Sequence, residues 1–212
     1  MTNILSLISE EMLKRVEQEK SKFIVTAFDL PSENQSAEKD DKIKRKLANV
    51  RVSVGYEFYR NGVRLNQSVY VLRTDKIKKV LEYIEEAYQQ VPDEYAKNVN
   101  IKLVGGIYEN VIFDLLKSDI ENLLAKIKEE VELLEADISS RQEPEWHNAH
   151  SVKIHEQEKK KFYNRAYSIS RKENIIKNRI DDLKLINKNI AEQKLNILMN
   201  LINFRSKIMS KI

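Results

Sequence analysis

Hydrophobic positions at the start of the chain recur every four residues: Ile4, Ile8, Met12 and Val16, with Leu5 and Leu13 beside them. That period predicts an amphipathic helix over residues 3–20. Lys22 to Leu30 is a short apolar, β-branched run and predicts a buried strand stopped by Pro31. Residues 31–41 are polar without a period and predict an exposed loop. A helix follows with Ile43, Leu47 and Val50 inward. Val52, Val54, Tyr56 and Phe58 then alternate with polar or small residues; Asn61-Gly62 comes next, followed by Val63, Leu65, Val69 and Val71. An Asn-Gly pair between alternating runs predicts a β-hairpin turning at that pair.

Thr74-Asp75 is read as the cap of a further helix, with Ile77, Val80, Leu81, Ile84 and Tyr88 on one face. Residues 99–113 predict one or two short strands broken at Gly105-Gly106, a break or bulge marker. Strand, helix, hairpin, helix, strand is the split βαβ, or ferredoxin-like, order. The expected fold class is therefore α+β, with an N-terminal helix and a ferredoxin-like module over residues 1–113.

Residues 114–212 predict a long helical hairpin or coiled coil. Leu116, Ile120, Leu123, Ile127, Val131, Leu134 and Ile138 step by three and four. From Phe162 the steps run through Ala166, Ile169, Ile176, Ile180, Leu183, Ile190, Ile197, Leu201, Phe204 and Ile208, with Glu173, Asn187 and Lys194 at seam positions between them. Heptads of this kind pack as coiled coils, and a polar seam residue such as Asn187 commonly sets register. An unbroken helix over residues 150–212 would be roughly 90 Å long, more than twice the length of the helix at 114–138. The surplus seam must fold back, pack on the module or meet another chain, and a homodimer through the coiled coil or the sheet is the simplest arrangement. Ser168, Ser170 and Asn187-Lys188-Asn189 are candidate bends.

Composition sharpens this division. Every Gly and Pro lies between Pro31 and Pro144, and beyond Pro144 basic residues outnumber acidic ones about two to one, within a net charge of only +4 over 212 residues. Charged residues are 33% of the chain and hydrophobic ones 42%, too many of the latter for wholesale disorder. There is no cysteine, which excludes disulfides, thiolate catalysis and Cys-based zinc sites. The first residues carry no basic start or long apolar run of a signal peptide, and no run of about 18 apolar residues exists to span a membrane. A cytoplasmic protein is expected, and abundant Lys, Glu and Ile would suit a thermophile.

Three groups of residues carry candidate chemistry. Asp29 ends the first strand, where a carboxylate can hold a divalent metal such as Mg or Mn; the alternative is a turn residue capping the loop. The runs KFIVTAFDL, DKIKRKLANV, VRLNQSVYVL and DKIKKVLEYIEEA, within residues 22–90, resemble the CRISPR-associated adaptation proteins of the "Cas-two" family and their toxin relatives. The resemblance implies a ferredoxin-like homodimer. In nuclease-active members the Asp ending the first strand is the metal ligand, which would make Asp29 the catalytic residue. Gln67 and Ser68 fall in the family's third-strand run. The loop from Pro31 to Asp41 is longer than the family's tight turn, and the helical second half has no counterpart in it.

His147, His150 and His155 are the three histidines, flanked by Glu143, Glu145 and Glu156, and could bind a metal through imidazole and carboxylate. Their spacing does not match the helical i, i+4 pair of metalloproteases, and an exposed loop at a hairpin tip also accounts for them. Trp146 beside them is either a partner-binding anchor or a core residue.

The third group is the basic stretch Lys159, Lys160, Lys161, Arg165, Arg171, Lys172, Lys177 and Arg179, interleaved with Phe162, Tyr163 and Tyr167. Lys and Arg neutralise phosphates and release counterions, and exposed aromatics stack on bases. The competing reading is the solvated flank of a coiled coil, although flanks usually mix signs. The favoured expectation is a nucleic-acid-binding protein, for DNA or RNA, that requires no cofactor. A coiled-coil module for a protein partner, and a divalent-metal nuclease using Asp29, are the alternatives.

Overall fold

In a computed structural model, the described residues are 14, 16, 22–30, 41–89, 91–92, 99–140 and 149–211, without the side chains of 149–155. The expected N-terminal helix and the loop at 31–41 lie almost wholly outside them. The chain divides into two compact units, Met1–Leu115 and Leu116–Ile212.

The apolar run after Lys22 forms β1 (Phe23–Asp29). Ile24 and Leu30 join the buried core, and Phe28 packs against it. Thr26, on the same face, is buried because its hydroxyl donates to the Tyr70 carbonyl at 3.1 Å.

The next element corrects the sequence reading. Helix α1 runs over Asp41–Asn61, so the alternating run from Val52 to Phe58 is helix and not the first arm of a hairpin. Its buried positions, Leu47, Val50, Val54, Phe58 and Asn61, step by three and four, and Glu57 beside them is buried too. Val52, an inward position of the alternating pattern, is 72% exposed. The helical period therefore wins over the period of two. Asn61-Gly62 is a helix end and not a turn: the Asn61 amide donates to the Glu57 carbonyl (2.9 Å) and Oε1 (2.7 Å), closing the last turn. Gly62 is required for close packing. A Cβ there would lie 2.4 Å from Leu72 Cδ2 and 2.6 Å from the Val71 carbonyl oxygen.

The hairpin itself comes later, as β2 (Gly62–Asn66) and β3 (Val69–Arg73). It turns at Gln67-Ser68, where Asn66 Oδ1 accepts from the Ser68 amide at 3.0 Å. Helix α2 (Thr74–Tyr88) follows, burying the expected Ile77, Val80, Leu81, Ile84 and Tyr88. Its cap differs from expectation. Arg73 is the N-cap, the Thr74 amide and hydroxyl donate to the Lys22 carbonyl (3.0 and 3.3 Å), and the Asp75 carboxylate pairs with the Arg73 guanidinium. That guanidinium holds the Asp75 carboxyl below its ordinary value.

Strand β4 (Asn100–Gly106) completes an antiparallel sheet of order β2-β3-β1-β4. Its pairing with β1 slips between Val25 and Thr26, and Gly105 takes the positive φ of 151° that this irregularity needs. No second strand follows. The amides of Val111 and Ile112 donate to the Tyr108 carbonyl (3.1 Å each) as the first turn of α3 (Glu109–Ser139) forms. Ile112, Leu116 and Ile120 already carry the helical step that rules out extended chain. The unit's core gathers Ile24, Leu47, Val54, Leu72, Ile77 and Ile84 with an aromatic stack: Phe28 to Phe58 at 4.3 Å and to Tyr70 at 5.7 Å between centroids.

The second unit contains most of α3, then α4 (Ala149–Lys184) and α5 (Lys188–Met209). All seven stepped positions of α3 from Leu116 to Ile138 are buried. The helical stretch over 150–212 breaks beside the candidate bend at Asn187-Lys188-Asn189, with α4 ending at Lys184 and α5 starting at Lys188, whereas Ser168 and Ser170 lie within α4. The Leu183 carbonyl accepts from the amides of Ile186 (3.0 Å) and Asn187 (2.8 Å), and Asn187 Oδ1 caps α5 by accepting from the Ile190 amide at 3.1 Å. Beyond that break the seam holds at Ile208, which is buried, and is corrected at other positions. Ala191 and Leu198 are buried, whereas Ile197 and Phe204 are 46% and 37% exposed. Arg205 reaches the buried Glu173 carboxylate through Nε (2.7 Å) and Nη2 (2.9 Å), and so matches a charge that burial would otherwise make costly.

Candidate nucleic-acid interface

Helix α4 carries the basic stretch, and its residues differ in burial and in whether they meet acids of α3. Arg179 is 0% exposed, and its Nε donates to Asp119 Oδ2 at 2.9 Å. It is structural and reaches no phosphate. Lys172 pairs with Glu130 and Arg165 with Asp137, again across to α3. These three cations stand seven residues apart on the side of α4 that meets α3, which makes the two helices antiparallel. Lys194 on α5 similarly pairs with Glu121 at 2.6 Å, and holds that carboxyl below its ordinary value. The spacing 165, 172, 179 was the signal that could have separated these residues from the others, since a seven-residue step keeps one helical face.

Of the remaining members, Lys159 is half-buried, while Lys160, Lys161, Arg171 and Lys177 are exposed. Tyr163 and Tyr167 are 56% and 68% exposed. Lys160, Tyr163, Asn164, Tyr167, Arg171 and Asn174 follow helical steps of three and four and are all exposed, so they form one continuous face. Over about 16 Å at 1.5 Å per residue, this face sets two phenol rings between two cations. Asn164 and Asn174 add amide donors and acceptors that the sequence reading did not single out. Lys161 and Lys177 project from other sides of the helix.

Asp29 is exposed at the end of β1, at an open groove also lined by Gln67 and Ser68. It is the only carboxylate lining that groove among the described residues, and no group of three His, Asp or Glu side chains among them comes together to hold a metal. Trp146 and His147 lie outside the described residues, and so do the side chains of His150 and His155, whose backbone opens α4. Among the described residues no helix is long and apolar enough to cross a membrane.

Comparison with known proteins returned no matching family model, no matching curated protein and no matching solved structure.

Proposed function

We propose that this chain is a nucleic-acid-binding protein that holds a single strand along the exposed face of α4. The observation that carries the reading is the pair Tyr163 and Tyr167, large aromatic rings left in solvent between Lys160 and Arg171. Burial would stabilise such rings by about 1.5–3 kcal/mol each if they were mere core residues. Stacked against bases they supply about 1–3 kcal/mol apiece, while the flanking cations neutralise phosphates. Read this way, the first unit is a ferredoxin-like module; the order β2-β3-β1-β4 with α1 and α2 as the two crossover helices supports that assignment.

Fluorescence anisotropy with labelled single-stranded DNA, single-stranded RNA and duplex DNA tests the reading. The single strands bind with an affinity that falls steeply with salt, and Tyr167→Ala weakens them about 5- to 100-fold. An absence of binding at low salt overturns it.

A second reading has its own support in α5. Leu195 and Met199 on one flank of the buried seam, and Ile197 and Phe204 on the other, are exposed. Such apolar flanks suit a protein partner, a second copy of the chain included. Concentration-dependent self-association lost in Ile197→Glu/Phe204→Glu would favour it.

A further inference from the structure

The groove beside Asp29 has a composition that the proposed strand-binding face does not use. Its volume is about 630 Å3. One wall is a stripe of α1, Ala48, Arg51, Val52, Gly55 and Tyr59, at helical steps of three and four. The other wall is the end of β1 and the β2–β3 turn, including Arg64, Gln67, Ser68 and Tyr70. These walls are held together: the Phe28 amide donates to the Ser68 carbonyl at 2.9 Å, and Arg64 Nε donates to the Asn66 carbonyl at 3.0 Å, which fixes that guanidinium over the turn.

Two features point to a ligand. Gly55 sits mid-helix, where glycine costs stability relative to alanine, yet a Cβ there would meet nothing within 4 Å. No close contact demands the glycine, and its effect is to widen the groove. The groove also joins guanidiniums on both walls to aromatic surface from the half-buried Phe28 and Tyr59, the first of which is locked in the stack with Phe58. Guanidinium groups bind phosphate by charge-assisted hydrogen bonds, and aromatic surface takes a planar ring. One carboxylate, Asp29, and the Gln67 and Ser68 side chains offer acceptors and donors to sugar hydroxyls or a base edge.

We infer that this groove is a binding site for a nucleotide, with Arg51 and Arg64 on the phosphate and the aromatic wall on the base. This site lies in the first unit and is independent of the strand-binding face of α4.

Calorimetric titration of the full chain with ADP, adenosine, inorganic phosphate and a short 5′-phosphorylated oligonucleotide tests it. ADP binds with a micromolar dissociation constant, and adenosine or phosphate alone binds at least about tenfold more weakly, since each forgoes half of the contacts. Gly55→Leu fills the groove from an open position and keeps the circular dichroism of the fold, and it weakens ADP about tenfold or more; Arg51→Gln does the same by removing one charge-assisted contact. If ADP does not bind, and the 5′-phosphorylated oligonucleotide outbinds its unphosphorylated form by a margin that Gly55→Leu removes, the groove takes the phosphorylated end of a strand and the same chemistry holds. Absence of binding by both ADP and the oligonucleotide, or binding indifferent to Gly55→Leu and Arg51→Gln, overturns the inference.

Discussion

The two units bury their interiors by different means. In the first, helices α1 and α2 meet the sheet through a nearly uninterrupted apolar cluster from Ile24 to Ile101, tightened by the Phe28–Phe58–Tyr70 stack. In the second, α3, α4 and α5 enclose apolar seams but also bury Glu173, Arg179 and Asp182. Ion pairs tie each helix to the other two: Arg179 to Asp119, Lys194 to Glu121, and Arg205 to Glu173. A basic residue in the helical unit is therefore as readily a structural tie as a surface charge. Counting Lys and Arg along α4 overstates the interface, because Arg179 is wholly buried whereas Lys160 and Arg171 are exposed.

Arg179→Ala tests the difference most severely. Losing this fully buried guanidinium destabilises the helical unit by about 3–5 kcal/mol, read as a shifted urea midpoint of the helical circular dichroism. The same substitution at exposed Lys177 leaves the midpoint nearly unchanged. The first unit buries one charged side chain among the described residues, Glu57, and steric fit is the more exacting constraint there. Gly62→Ala forces a Cβ against the Val71 carbonyl and costs about 1–3 kcal/mol, whereas Gly55→Ala enters open space and stabilises by about 0.5–1 kcal/mol; thermal melts of the two variants move in opposite directions. Asn187→Ala removes the cap between α4 and α5 and costs about 1 kcal/mol by the same measurement.

The smallest effect belongs to the exposed pair of Arg73 and Asp75. The folded-state pKa of Asp75 is depressed, so its contribution is present above the ordinary carboxylate value and is lost as pH falls through the depressed one. Asp75→Asn thus lowers stability by a few tenths of a kcal/mol at neutral pH, and the gap from the parent closes in acid.

How much of this was legible depended on whether one periodicity stood alone. β1, α2 and the seam of α3 each carry a single unambiguous pattern, and the structure matches it at Ile24, Ile84 and Ile127. The run from Val52 to Phe58 satisfies both periods: Val54 and Phe58 are four apart and also alternate. Asn61-Gly62 then imitated a hairpin turn, although the asparagine closes a helix and the glycine admits Leu72. The exposed tyrosines were visible as candidates in the sequence. The pairing of Arg165, Lys172 and Arg179 with α3 was not, because it depends on acids in a helix about 30 to 60 residues away. The groove at Asp29 was equally hidden, since Val52 and Gly55 fall in the run whose alternation imitates a strand.

Charge substitutions on the two sides of α4 test the central claim most directly, with single-stranded nucleic acid titrated at stepped salt. If the exposed face is the interface, Lys160→Gln/Arg171→Gln lowers affinity and reduces the slope of log K against log salt by about 1.4, at about 0.7 per phosphate contact. Arg165→Gln/Lys172→Gln, on the side paired to Asp137 and Glu130, leaves that slope where it was. Equal losses from both pairs, or no binding by the parent chain at low salt, would contradict the account.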